Sequence, residues 1–479
     1  MTFVLFLVSL TVVMGLLTAI IWWRSPLSFE GFGLLLVAPA ILGDHVGITM
    51  DLFQNPGWVA DRAIEDRIFP NFVFAVGLLA LAAGLWIIDR RPAPMGRVLS
   101  EAETSWIKGW TPLLVVLGLG MKALALYVSG VGSLSGYLDN LGEYRVAQGQ
   151  FGGFLDLGTG IALLGLAILT AIYIRRTSLA LLLLLSQVAI SFLLSFSKAD
   201  LVGVVTTQAY VALILVPNEV RDLLRRPLVV FGAGPVALLA VIANAGIKSQ
   251  FRGVGGDTEL LDFSFSNILA WAGGVFGNRF SSEGVYVGYA NMVNRITDGY
   301  WPFFDGKVLR YTLTSWVPYV LMPEKEIHPF RDVGQLFFND YHSQATETSA
   351  PNLMGSAYVD YGFASLISYV FVYGVIIALL RVLLARPGRH PYLLLAYLHF
   401  TMVDGSGNIL HGGITNLMTT FFLTFGVFVV LLGSIYLSRL VLGPQWERLE
   451  MRRRLAEASL AAPASGTRIA ATGGGVRAA

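Results

Sequence analysis

TSAPNLMGSAYVDYGFASLISYVFVYGVIIALL, residues 348–380, is where the chain passes from polar to apolar. From Gly355 to Leu380 the one charge is Asp360, and the run exceeds the roughly 20 apolar residues that a spanning helix needs. Upstream, from Ile247 to Met354, about 108 residues interrupt an otherwise apolar chain. Arg252, Arg279, Glu283, Arg295, Lys307, Arg310, Glu324, Lys325, Glu326, His328, Arg331, Asp332, His342 and Glu347 crowd into that insert beside prolines and aromatics. Long apolar segments lie on both sides of it. The pattern predicts an all-α polytopic membrane protein with one large loop, and loops held by a rigid scaffold are where chemistry concentrates.

Composition supports the same class. The 479 residues are 55% hydrophobic and 13% charged, with mean hydropathy +0.66, which excludes an ordinary soluble domain. A net charge of +2 gives no reason to expect a nucleic-acid partner. Cysteine is absent, which excludes disulfides, thiol catalysis and thiolate metal sites. The first apolar run has no basic segment before it and no small-residue cleavage site after it, and it reads as a retained helix.

Apolar runs place spans at about 2–23, 29–43, 70–88, 111–129, 154–174, 178–196, 200–217, 228–246, 355–380, 391–410 and 413–437, about 11 transmembrane helices. With alternating helices, Arg24, Arg90/Arg91, Arg175/Arg176, Arg221/Arg225/Arg226, Arg381/Arg386/Arg389 and Arg452/Arg453/Arg454 share one side. That side holds roughly 20 of the 33 basic residues, which makes it cytoplasmic by the positive-inside rule. The expected organisation is N-terminal transmembrane helices over 1–246, a large extracytoplasmic loop over 247–354, C-terminal transmembrane helices over 355–440, and a cytoplasmic basic helix and disordered tail over 441–479.

Polar groups near helix ends need a reason, because charge at bilayer depth costs about 2.5–3.5 kcal/mol. GEYRVAQGQFGG, with Glu143 and Arg145, reads as a ligand-hugging loop or as a solvated turn. In LLSFSKADLVG, Lys198 reads as a headgroup-depth cation for a lipid phosphate or as a snorkelling helix anchor. KSQFRGVGG brings Lys248 and Arg252 directly after an apolar run. In FGNRFSSEGVYVGYANMVNRI, Tyr286, Tyr289, Val293 and Ile296 recur at three- and four-residue steps, which predicts a short amphipathic helix. Arg279 and Glu283, four apart at its start, suit either a surface ion pair or an arginine forking onto phosphate beside a proton-accepting carboxylate. His342, Tyr358 and Asp360 flank the return to the membrane, and Asp404 and His411 flank the break DGSGNILHGG. No zinc-protease, P-loop, dinucleotide or serine-elbow motif occurs.

The order of these segments resembles the O-antigen polymerases, the Wzy-type oligosaccharide repeat-unit polymerases. The likeness rests on the short SFSKAD turn with Lys198, the arginine-led helix start NRFSSEG with Arg279, and the stretch TSWVPYVLMPEKE. It also rests on Pro351, Gly355, Tyr358, Tyr361 and Gly362 at the end of the insert, with Tyr361 in place of the family's Phe. Tyr319 stands after Pro318 where the family often carries Arg. The resemblance implies a GT-C-like membrane glycosyltransferase of the bacterial inner membrane, acting on undecaprenyl-diphosphate-linked glycans at the periplasmic face. Its product would be O-antigen or exopolysaccharide, and a chain-length regulator is an optional partner.

The residues then divide by role. Arg145, Lys198, Arg252 and Arg279 are the candidates to hold the diphosphate. Glu283, Asp360 and His342 are the candidates to take the proton of the attacking hydroxyl. Trp301, Tyr319 and Tyr358 are candidates to stack on sugar, with interfacial anchoring as the alternative for such aromatics. No metal and no cofactor is expected. The rival readings are an O-antigen ligase, using a loop histidine, and a non-enzymatic transporter or flippase of lipid-linked glycans, which predicts charges inside helices along a pathway.

Overall fold

The computed structural model describes residues 1–25, 28–54, 57–90, 101–128, 152–195, 208, 210–225, 285–315, 317, 322–324, 326, 329–330 and 352–384, with isolated positions 414, 421, 425, 426, 429 and 433. The chain divides into two units, Met1–Phe428 and Val429–Ala479. In the second, Val429 and Gly433 are helical and exposed. The architecture below is that of the first.

Among the described residues the regular structure is helical and no strand occurs. Helices α1 (Thr2–Arg24), α2 (Phe29–Gln54) and α3 (Trp58–Ile88) are followed by α4 (Glu101–Val128), α5 (Gly152–Ile172), α6 (Thr177–Ser195) and the short α7 (Pro217–Leu224). From the insert come α8 (Val285–Thr297) and α9 (Lys307–Thr314), and beyond it α10 (Leu353–Tyr361) and α11 (Phe363–Leu384). Among the described residues four apolar segments are long enough to cross a membrane: Thr2–Arg24, Gly33–Met50, Arg62–Ile88 and Phe363–Leu383. Shorter apolar stretches cover Ile107–Met121, Gly160–Ile172 and Ser178–Gln187. The chain is thus an α-helical membrane protein. The spans expected at 228–246, 391–410 and 413–437 and the basic tail helix lie outside the described residues, apart from isolated positions.

The helix expected at 111–129 starts earlier, at Glu101, and three further boundaries differ from the hydropathy reading for a local reason. The second span does not stop at residue 43, because Asp44 and His45 are buried inside α2 with partners of their own. The third does not start at residue 70. The polar residues Asp61 to Arg67 are already helical, and Pro70 sits inside α3. The span expected at 355–380 is two helices, broken at Gly362. Its φ of +64° is a left-handed backbone that side-chain-bearing residues avoid.

Helix α3 is the hub, packed by α1, α2, α8, α10 and α11, while α4 packs on α5 and α5 on α6. The α3–α11 contact depends on small residues. A Cβ on Gly84 would strike the backbone carbonyl of Phe371, and one on Gly374 would lie 2.7 Å from the Leu81 carbonyl oxygen. In lipid there is no hydrophobic gain from helix association, so such close approach carries the attraction.

One end of this bundle is tied by charge. Arg24 closes α1, Asp89 follows α3, Arg381 lies in the last turn of α11 and Glu30 begins α2. The Arg24 guanidinium donates to the Glu30 carboxylate, to the Asp89 carbonyl at 2.9 Å and to the Asp89 carboxylate at 3.3 Å. Arg381 lies 3.5 Å from the Glu30 carboxylate and 3.7 Å from that of Asp89. Two cations and two anions cancel. Arg24 and Arg381 also sit where helix C-termini favour cations, and Glu30 where an N-terminus favours an anion.

Candidate functional site

The other end of the bundle receives the insert, and its chemistry starts from a proline. Pro70 has no N–H, so the carbonyl four residues earlier loses its helical partner. That carbonyl belongs to Asp66, and the Asn294 side chain of α8 donates to it at 2.7 Å. One turn back on α8, the Tyr289 hydroxyl donates to the Pro70 carbonyl at 2.8 Å. The carbonyl that Pro70 leaves without a helical partner is therefore taken up by the insert helix. The predicted amphipathic helix is present as α8, and Tyr286, Tyr289, Val293 and Ile296 are all buried. Burial pushes both tyrosine hydroxyls well above their ordinary range, so both act as donors.

Beside this contact lies a buried polar hub. Asn71 of α3 donates to Ser9 Oγ of α1 at 2.8 Å and lies 2.9 Å from His45 Nε2 of α2. Its carbonyl oxygen accepts from the Tyr286 hydroxyl. One amide side chain thus joins four helices, using both N–H donors and one acceptance at its oxygen. His45 Nδ1 faces the Ile41 carbonyl at 2.8 Å, which assigns the proton to Nδ1 and leaves Nε2 to accept from Asn71. The imidazole stacks on Phe6, with ring centroids 4.9 Å apart. Next to it Arg67 forks onto the Asp44 carboxylate at 2.9 and 3.3 Å. Hydropathy missed this group, because its windows ended before Asp44 and began after Arg67. Pro70 was the available signal.

The insert returns through α9 and α10. The Phe304 amide donates to the Val359 carbonyl at 2.9 Å. Asp360 accepts from the backbone amides of Val308 and Leu309, both at 3.1 Å, and from the Tyr369 hydroxyl at 3.2 Å. Its carboxylate therefore caps the start of α9 from another helix, where orphan N–H groups and the dipole favour an anion. Burial raises its affinity for a proton, and the amide donors oppose that.

Two of the expected site residues lie among these contacts. Asp360 is fully buried with both oxygens engaged, and it holds the start of α9. Tyr358 is only 3% exposed, lies between Phe363 and Phe303, and bonds Thr297 at 3.0 Å. Trp301 is half-buried against the same core and keeps part of its indole accessible. Arg145, Lys198, Arg252, Arg279, Glu283, Tyr319 and His342 lie outside the described residues, as do Glu143, Asp200, Asp404 and His411. Among the described residues no group of three or more His, Asp or Glu converges as a metal site.

Comparison with protein-family models, with curated proteins and with solved structures finds no match for this chain.

Proposed function

We propose that the chain is a membrane glycosyltransferase that joins undecaprenyl-diphosphate-linked oligosaccharide repeat units into O-antigen or exopolysaccharide, on the periplasmic side of a bacterial inner membrane. The observation that supports it most is the docking of α8. The helix that follows Arg279 and Glu283 in sequence is fastened to the spanning helices at the end opposite the Arg24–Arg381 cluster. Along α3 the docking point at Asn71 and the ion cluster at Asp89 are 18 residues apart, roughly 27 Å of helix, and the helix continues back from Asn71 to Trp58. That separation is close to the roughly 30 Å of a bilayer's apolar core. A polar insert fastened at a membrane boundary suits a reaction on a lipid-borne headgroup.

In the reaction, a sugar hydroxyl of the acceptor glycan attacks the anomeric carbon of the donor. The new glycosidic bond forms as the carbon–oxygen bond to the diphosphate breaks, and undecaprenyl diphosphate leaves. Arg145, Lys198, Arg252 and Arg279 would stabilise the charge that develops on that leaving group. Glu283 or His342 would take the hydroxyl proton. Trp301 and Tyr319 remain the aromatic candidates for sugar. The transporter reading draws on Asp44, His45 and Arg67, which are charged or polar inside candidate spans. These groups are buried and partnered by one another, by Asn71 and by the Ile41 carbonyl, which suits a structural hub better than a pathway. The test is purified protein with lipid-linked repeat units. Wild type should give a glycan ladder, and Arg279→Ala should lose it by about 100-fold or more, the scale seen when one transition-state donor is removed. A full ladder from the variant would remove Arg279 from the mechanism.

A further inference from the structure

The surface of the insert beside α11 is apolar where water would be expected. On α9, Val308 and Thr312 face the protein and are buried. Leu309 and Leu313, four apart on the neighbouring stripe, are exposed, as are Phe303 and Tyr300 in the turn before. Lys307 and Arg310 occupy the third side. A soluble helix seldom leaves such a stripe open, whereas a helix lying in a membrane boundary requires it.

The level of α9 is fixed by hydrogen bonds. Leu309's amide bonds Asp360, and the same carboxylate oxygen accepts from Tyr369, which lies six residues into α11. Phe303 packs against Gly362, the residue before the spanning segment begins. Ring contacts continue from Phe303 to Tyr358, to Phe363 and to Phe72, which is exposed on the outer face of α3. The exposed apolar stripe thus sits at the height where α11 starts, next to Gly362.

We propose that α9 and the Tyr300–Phe303 turn lie in the bilayer's headgroup–acyl boundary, with Leu309, Leu313, Phe303 and Tyr300 immersed in the leaflet from which α11 starts. Lys307 then faces the phosphates, beside Arg310, whose guanidinium donates to the Glu326 carboxylate at 2.9 Å and to the Asp305 carbonyl at 3.0 Å. The partner is the lipid surface itself. This surface would hold the insert at headgroup depth whatever reaction it carries, so the proposal does not depend on the glycosyltransferase reading.

The absence of native cysteine makes the test direct. Leu309→Cys, Leu313→Cys, Glu324→Cys and Ile367→Cys are each labelled with a nitroxide and reconstituted in phosphatidylethanolamine–phosphatidylglycerol vesicles. Collision with oxygen is compared with collision with a water-soluble nickel chelate. Glu324 reports water and Ile367 reports lipid, since both are exposed. Labels at 309 and 313 should show an oxygen-to-nickel ratio several-fold above that at 324, approaching that at 367. A ratio equal to that at 324 overturns the proposal. In parallel, a lipid-soluble diazirine photolysed with unmodified protein should label residues 300–313 and spare residues 322–326, and the reverse pattern overturns it without any substitution.

Discussion

At the residue scale the fold depends on buried polar groups that satisfy one another. Asp360 has a carboxyl held above its ordinary value of 3.8 by burial, against the pull of two backbone amides. A group with a raised folded-state pKa contributes its stability below the unfolded value and loses it as pH rises through the folded one. Asp360→Asn removes that titration while keeping one acceptor. The thermal stability of the variant relative to wild type should therefore rise as pH increases from about 3.8 and level off above the folded pKa. A pH-independent difference would contradict the assignment. Arg24 is a second case. Arg24→Met would leave Glu30 and Asp89 facing each other with Arg381 alone, and breaking a buried pair typically costs about 3–5 kcal/mol. Detergent-solubilised Arg24→Met should melt well below wild type, and an unchanged melt would show that the cluster contributes nothing.

At the element scale, close packing follows from glycines and docking follows from a proline. Gly84 admits the backbone of α11, so Gly84→Ala should cost about 1–3 kcal/mol, as overpacking does. Thermal unfolding against wild type checks it, and an equally stable variant would mean that α3 and α11 separate freely. This is also the scale at which the sequence was partly readable. The three- and four-residue spacing of Tyr286, Tyr289, Val293 and Ile296 announced α8, because an amphipathic stripe is a local property. The apolar runs announced α1, α3 and α11. The break at Gly362 was hidden, since a left-handed glycine inside an apolar run leaves the hydropathy unchanged. Asp360 looked like an open carboxylate for the same kind of reason, because its partners are the amides of a helix about 50 residues away in sequence. Asp44 and Arg67 fall outside the hydropathy spans because each is polar alone, and only their pairing across two helices makes them compatible with burial.

At the scale of the whole molecule, the C-terminal ends of α1, α3 and α11 gather around one ion cluster, and the insert helix α8 is fastened at the far end of α3. That polarity supports a reading in which lipid-linked sugars meet the insert at one membrane face and the arginine-rich ends lie at the other. The most direct measurement uses the purified protein in proteoliposomes with a radiolabelled undecaprenyl-diphosphate-linked repeat unit and no nucleotide. The account predicts glycans lengthened by whole repeat units, together with stoichiometric release of undecaprenyl diphosphate. Movement of the intact lipid-linked sugar between leaflets, with no new glycosidic bond and no diphosphate released, would contradict it.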